Sequence, residues 1–278
     1  MQRRCIYILA NPHGAEANYS IESAAEIGSV LQGEIIYLSR KNWTSQIDSI
    51  YDPDALYLLS THGGFGEDGC LHAYLEARNL RHTHSKSWSC GVMANKHHTK
   101  MLYVSLSIPT PCWTYRGTKY LPPMVVDRQE WISKPLLGGG KAGLRMEAPK
   151  SNGTRIFEEY IAGSLEISVC VVGLAGPGAL PAIVRSRSRD ALGVLKAATE
   201  APSQEALEFC TSAAIRVHRA LNARGVTKTD FVLDKNGRAF AIETDAHPGL
   251  GKSRATAQAA LKAGISYAKL IEGICDDC

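Results

Sequence analysis

Residues 229–249 read TDFVLDKNGRAFAIETDAHPG, and this stretch leaves the chain few ways to fold. Asn236-Gly237 is the two-residue signal of a type I′ hairpin, flanked by FVLD and AFAI. Counting outward from that turn pairs Lys235 with Arg238, Val232 with Ala241 and Asp230 with Glu243. Two carboxylates then face each other across adjacent strands, with Cβ atoms roughly 5 Å apart. Asp245 lies two residues beyond Glu243 and projects from the same face. Phe231, Leu233, Phe240 and Ile242 form the opposite face, which reads as core. Like charges directly opposite on a sheet are destabilising. Three carboxylates on one side of an apolar-backed hairpin are most easily explained by a divalent cation. All-oxygen ligation suits Mg²⁺ or Mn²⁺ held together with substrate phosphates. The same residues also allow a bland alternative, an exposed acidic hairpin that Asp245 has already left.

The 278 residues allow one large domain or two to three small ones. A net charge of +4 is spread along the chain, so nucleic-acid binding is not indicated; the one basic run, Arg185 to Arg189, reads as a solvated loop. No apolar stretch approaches the ~18 residues of a spanning helix. The short apolar run CIYILA near the N-terminus reads as a first strand rather than a signal peptide, and a cytoplasmic location is the default expectation. Eight scattered cysteines suit reduced thiols, and Cys275-Asp-Asp-Cys278 reads as a frayed tail.

In chain order, a strand at 5–10 precedes an amphipathic helix over 20–31, with Ser20 at its start. Strands follow at 34–38 and 55–59. The second ends in His62-Gly63-Gly64-Phe65-Gly66-Glu67-Asp68-Gly69, before a helix over 69–79. This order describes a small α/β domain with a parallel sheet, and loops at such strand ends carry ligands. The glycines permit close backbone approach, although a simple βα turn with acidic capping would look the same. Residues 89–95 read as a small-residue loop leading into a helix over 96–106. His97-His98 diverge by ~100° on that helix and do not make a ligand pair. Strands are expected at 124–126, 131–135, 154–160 and 165–172. Leu136 to Gly143 is a glycine loop bearing Lys141, a phosphate-covering flap rather than a P-loop. Residues 173–202 read as loop. Ser203 caps a long helix ended by Gly225, and a last helix covers 253–274.

In this order HGGFGEDG, SCGVMANKHHTK, ISKPLLGGGKAGL, FEEYIAG and TDFVLDKNGRAFAIETDAHPGL, with Glu16 after the first strand, resemble the ATP-grasp superfamily, in its D-alanine–D-alanine ligase-like branch. The resemblance runs from about residue 5 to residue 272. It implies an α+β ATP-grasp fold in three parts: an N-terminal α/β substrate domain over 1–84, a central subdomain with the flap over 85–155, and a C-terminal subdomain with the acidic hairpin over 156–278. It implies ATP with Mg²⁺ or Mn²⁺, and acyl phosphate formation followed by attack of an amine. Lys100 and Lys134 match the lysines on the ATP phosphates, and Gly138, Gly139, Gly140 and Lys141 lie in the flap. Glu158, Glu159, Tyr160 and Ile161 match the adenine hinge, and Glu166 the ribose acid. Asp230, Glu243 and Asp245 match the metal ligands. Glu16 matches the residue near the first amine, and Lys228 the cation facing the reacting carboxylate. His62, Gly63, Glu67, Asp68 and Arg254 fall in the substrate site. Dimers are common in the family.

The departures matter too. The family's flap serine pair is Gly140 and Lys141 here, its metal-site Asn is Asp245, its Arg is Lys228, and its carboxylate-binding Ser is Arg254. No Tyr occurs in 173–202, where the family has a tyrosine-rich loop. The second-substrate site is therefore expected to be rebuilt. The leading function is an ATP-dependent ligase joining amino acids. The alternatives are a cyclo-ligase or other ligase of an unusual amino acid, and a nucleotide-binding protein without catalysis.

Overall fold

The structure is a computed structural model and describes residues 5–14, 16–121, 130–139, 143–163, 165–173, 176–187 and 194–277. The expected strand at 124–126 and the flap residues Gly140 and Lys141 lie outside them.

Three sheets carry the architecture of the described residues. The first is parallel, in the order β2-β1-β3-β4, from β1 (Ile6–Ala10), β2 (Glu34–Tyr37), β3 (Leu56–Ser60) and β4 (Arg81–His82). Helices α1 (Ala17–Leu31), α2 (Trp43–Ser49) and α3 (Cys70–Ala77) connect its strands. Helix α1 starts before Ser20, whose hydroxyl instead donates to Ser60 O (2.5 Å) and accepts from Asn11 N–H (2.7 Å), fixing the helix to the sheet. Segment 89–95 belongs to a helix, α4 (Ser87–Ala94), not to a loop. Asn95 ends it and caps α5 (Lys96–Ser105), accepting from the N–H groups of His97 and His98.

The second sheet is antiparallel, in the order β6-β5-β9-β7-β8: β5 (Trp113–Tyr115), β6 (Thr118–Tyr120), β7 (Trp131–Pro135), β8 (Arg145–Met146) and β9 (Arg155–Glu159). The expected boundary at 155/156 falls inside β9, which pairs with β5 and β7, so the chain to Glu159 goes with this sheet.

The third sheet has β10 (Leu165–Val172) at its centre, flanked by β12 (Ile183–Arg187) and β14 (Val226–Leu233). β15 (Ala239–Asp245), β13 (Leu195–Ala197) and the short β11 (Gly178–Ala179) complete it. Three of these strands come from 173–202, read above as loop; they are short and lack the alternation that marks a strand. Helix α6 (Gln204–Ala220), capped by Ser203, covers the back of this sheet with Cys210, Ala213, Ala214 and Val217. The single helix expected over 253–274 is two, α7 (Ala255–Lys262) and α8 (Tyr267–Asp276). Gly264 at φ 75° breaks it, and Ser266 caps the second half by accepting from Lys269 N–H. Helix α8 packs on α1 through Ile27, Ile271 and Ile274, and α7 packs on α8 and on β10 and β12, so the pair joins the first sheet to the third. No helix among the described residues is long and apolar enough to cross a membrane.

Candidate active site

Asp230 pairs with Glu243 across β14 and β15, and Lys228 with Asp245. The register reaches that pairing by another route than the one counted above. The turn closes with Gly237 N–H on Asp234 O (2.9 Å), and Asp234 pairs with Arg238. Only Gly237 in the turn has positive φ, at 77°, whereas type I′ needs two such residues. The Asp234 carboxylate holds this longer turn, accepting from Asn236 N–H (2.8 Å), Arg238 N–H (3.0 Å) and the Arg238 guanidinium (2.9 Å). Val232 therefore pairs with Phe240, not Ala241. A bulge between the Phe231–Ala241 and Asp230–Glu243 pairs then adds one residue on β15 and restores the count. The faces change accordingly. Phe231 and Leu233 pack with Ala239 and Ala241 in the core under α6, while Phe240 and Ile242 join Val232 on the front.

That front face walls a cleft of about 890 Å³ between the second and third sheets. Ile132, Leu144, Tyr160, Val232 and Ile242 give it an apolar slot. Lys96, Lys134, Glu166, Asp230 and Glu243 lie along its polar end. Glu158, 1% exposed, sits between two ammonium groups, with Lys134 Nζ at 2.7 Å and Lys100 Nζ at 3.6 Å. Burial would raise its pKa, but the two lysines outweigh that and hold it below the usual range. Lys100 is fully buried and does not line the cleft. It donates to Thr110 Oγ1 (2.7 Å) and Pro111 O (3.3 Å), and burial pushes its pKa down to about 8, with Lys134 adding to the shift and Glu158 opposing it. Lys96, one turn earlier on α5, does line the cleft; its Nζ donates to Gly138 O and lies 4.0 Å from Glu243 Oε2. Lys96, rather than the Lys100 expected from the sequence, thus presents its ammonium group to the cleft. The two stand on one helix face, and spacing alone did not choose between them.

The hinge residues Glu159, Tyr160 and Ile161 border the same cleft. Arg187, from the segment read as loop, donates to Ile161 O (3.0 Å) with its guanidinium 5.1 Å from the Tyr160 ring. Gly163 lets this hinge pass the hairpin, because a Cβ there would stand 1.6 Å from Leu233 O.

A larger cavity of about 1910 Å³ adjoins the cleft and shares Lys96, Gly138, Gly139, Glu166, Asp230 and Glu243 with it. Glu16, His62, Glu67, Lys228, Asp245 and Arg254 line it as well. Lys228 Nζ is 3.0 Å from Asp230 Oδ2, and Asp230 also accepts from Ser168 Oγ (2.6 Å). Burial opposes the Lys228 charge, yet Asp230, Asp245 and Glu243 together raise its pKa well above the ordinary value. Asp245 is pushed up to about 6 by burial, aided by Glu67, despite Lys228. The three carboxylates carry one more negative charge than Lys228 and Lys96 balance. An all-oxygen set in excess of its counter-charge fits a hard divalent cation.

Glu16 is pushed up to about 7, first by burial and then by Glu67 and Asp245. A Cβ on Gly139 would lie 3.4 Å from Glu16 Oε1, and one on Gly63 would lie 3.6 Å from Glu16 Oε2, so the flap's base and the first glycine loop both close on this carboxyl. His62 Nδ1 is 3.2 Å from Glu67 Oε1; Glu67, Asp245 and Glu16 outweigh burial and raise its pKa. Asp68 borders the cavity, but its carboxylate accepts Cys70 N–H (2.9 Å) at the start of α3. Arg254 lies over the Tyr19 ring at 3.8 Å, with Glu22 Oε2 at 3.5 Å.

A family profile described as D-ala D-ala ligase C-terminus matches residues 147–276. Similar proteins include the D-alanine–D-alanine ligase of Ruegeria pomeroyi, 25% identical over 98% of this chain and 95% of that protein. That of Caulobacter is 27% identical over 98% and 92%. The fold matches the crystal structure of Bacillus anthracis D-alanine–D-alanine ligase complexed with ATP at a TM-score of 0.78, covering 99% of this chain and 97% of that one at 20% identity. The chain is thus similar to D-alanine–D-alanine ligases along nearly its whole length, and over residues 147–276 it matches the profile of their C-terminal part. Its α+β fold is the ATP-grasp fold inferred from the sequence.

Within this ligase-like frame the structure adds residues that sequence reasoning missed. Lys96 was passed over for Lys100. Arg185 and Leu195, from the segment without tyrosine, line the larger cavity, with Arg185 donating to Gln258 Oε1 (3.4 Å). No motif marks them; only β12 and β13, themselves unexpected, carry them there.

Proposed function

We propose that this chain is an ATP-dependent, ADP-forming carboxylate–amine ligase acting on amino acids. The supporting observation is the position of Asp230, Glu243 and Asp245 with Lys228, at the junction of an apolar-ended cleft and a charged cavity. Adenine fits the slot beside Tyr160 and Ile161, and Glu166 lies where a ribose would meet it. Lys96 and Lys134 would hold the phosphates. Asp230, Glu243 and Asp245 would hold Mg²⁺ or Mn²⁺, which when bound neutralises phosphate charge. A substrate carboxylate oxygen attacks the γ-phosphorus and ADP leaves; an amine nitrogen then attacks the acyl carbon and phosphate leaves. Lys228 donates to the oxygen that becomes negative in that attack. Glu16 accepts from the amine of the first amino acid. Acyl phosphates hydrolyse, so the flap beginning at Gly138 and Gly139 has to exclude water.

A second reading is favoured by one observation, the tyrosine-free segment that brings Arg185 into the substrate cavity. On it, a single molecule carries both carboxylate and amine and is cyclised. ADP release with Mg²⁺ and D- and L-amino acids, singly and in pairs, decides. Turnover needing two amino acids supports dipeptide synthesis, product from one diamino or aminooxy acid supports cyclisation, and no nucleotide binding would sink both.

A further inference from the structure

Four histidines and a cysteine converge behind the Asp245 loop, outside both cavities except for the edge that His247 presents. His72 stands on α3, Cys90 on α4 and His247 two residues past β15. They are 0%, 0% and 2% exposed. One ligand-capable atom from each of the three lies within 4.8 Å of the other two. Two neighbours hold the group in shape: the His84 ring stacks on His247 at 4.3 Å and 10°, and the His82 ring meets His72 edge-on at 5.4 Å.

The hydrogen bonding of these rings is incomplete. His72 Nε2 and His247 Nε2 are 2.6 Å apart, so they share one hydrogen and at least one of them is a bare lone pair. His72 Nδ1 and His247 Nδ1 are buried with no partner at all. His84 Nδ1 meets Thr83 Oγ1 (2.8 Å), and His82 Nδ1 meets Thr83 O (2.9 Å) while its Nε2, without a hydrogen bond, faces Glu76 Oε1 at 3.4 Å. Buried polar atoms nearly always find partners. Two adjacent imidazoles that lack them, beside a buried thiol, are a set of donors to an ion.

We propose that His72, Cys90 and His247 form a zinc-class metal site, distinct from the acidic hairpin. Two imidazole nitrogens and a thiolate are the donors of borderline and soft ions, not of Mg²⁺. With Zn–N at 2.0–2.1 Å, tetrahedral ligand nitrogens stand about 3.3 Å apart, so the two rings part by roughly 0.7 Å on loading. The thiol gives up its proton to the solvent on binding. The ion ties α3 and α4, beside the first sheet, to the segment that follows Asp245. It acts as a clamp on the loop that completes the active site.

The test uses the full chain, Zn²⁺ and Co²⁺. After expression with zinc and gel filtration, mass spectrometry should find about one zinc per chain. Cobalt replacement should give a thiolate-to-cobalt charge-transfer absorption. Cys90→Ala, a small apolar side chain in a buried place, and His72→Gln should each lower zinc affinity at least about tenfold. A chelator should lower the Tm of the natural chain and leave that of Cys90→Ala unmoved. Cys275→Ser should keep its zinc. The proposal is overturned if reconstituted natural chain holds no stoichiometric zinc, or if its cobalt form lacks the thiolate band. Equal zinc in Cys90→Ala, or loss in Cys275→Ser, also overturns it. Should the variants not fold, the cobalt spectrum of the natural chain decides alone.

Discussion

The apolar-ended cleft takes its walls from two sheets whose strands pair residue by residue, while the larger charged cavity takes its walls mainly from segments that leave those strands. In the cleft Glu158, Lys134, Asp230 and Glu243 stand on β9, β7, β14 and β15, and the buried Lys100 and Glu158 tie its floor together. In the cavity Glu16, His62, Glu67 and Arg254 precede or follow helices and meet only because three distant parts of the chain converge. A site on paired strands fixes its chemistry and its stability with the same residues. A site on loops can exchange residues with little cost to the fold.

That contrast can be broken at graded points. Glu158→Gln leaves two buried ammonium groups without their carboxylate and should cost about 3–5 kcal/mol in urea unfolding; a loss near zero would show that the floor network is not structural. Glu243→Gln, shared by both cavities, should lower the rate of ADP release on the order of 10²–10³-fold with the fold intact. Retained turnover would refute the metal assignment. Lys96→Met should raise the ATP KM roughly 10-fold or more, the worth of a charge-assisted hydrogen bond. Lys100→Met should lower Tm and leave that KM nearly unchanged, and the reverse pattern would restore Lys100 to the phosphate site. Arg254→Ala should raise the amino-acid KM about 5-fold, in keeping with ~1 kcal/mol for a half-exposed charge, and should not move the ATP KM. The effect of pH on Glu16 is read on another axis. Its folded pKa of about 7 lies above the ordinary glutamate value of 4.5, so ionisation disfavours the folded state. Stability of the free chain therefore falls as pH rises from 4.5 to 7, while the amino-acid KM improves as the carboxylate forms. Both trends should vanish in Glu16→Gln.

Much of the cleft was legible because strand periodicity and glycine punctuation are local signals. The cavity was legible only through the resemblance, since nothing near Glu16 in sequence announces Lys228 or Arg254. Lys96 and Lys100 share a helix face, but Lys96 lines the opening while Lys100 is buried against Thr110 and Pro111, contacts that no spacing rule gives. His97-His98, the histidine pair visible in sequence, belongs to a surface ring cluster, with Trp113 Nε1–H donating to His97 Nδ1 (3.0 Å). The histidines that do meet, His72 and His247, are separated by 175 positions and invisible to any spacing rule.

The bulge on β15 has a consequence for how this hairpin tolerates insertions and deletions. Turn and bulge are each one residue longer than the simplest hairpin. The loop residues 235–237 lie outside the closing pair Asp234–Arg238, so losing one of them would leave every pair of the ladder in place. Losing the bulged Ile242 would leave Phe231 opposite Ala241 and Asp230 opposite Glu243, with β15 alternating regularly between core and front. The acidic pair is therefore held by the ladder between turn and bulge and not by the length of the tip.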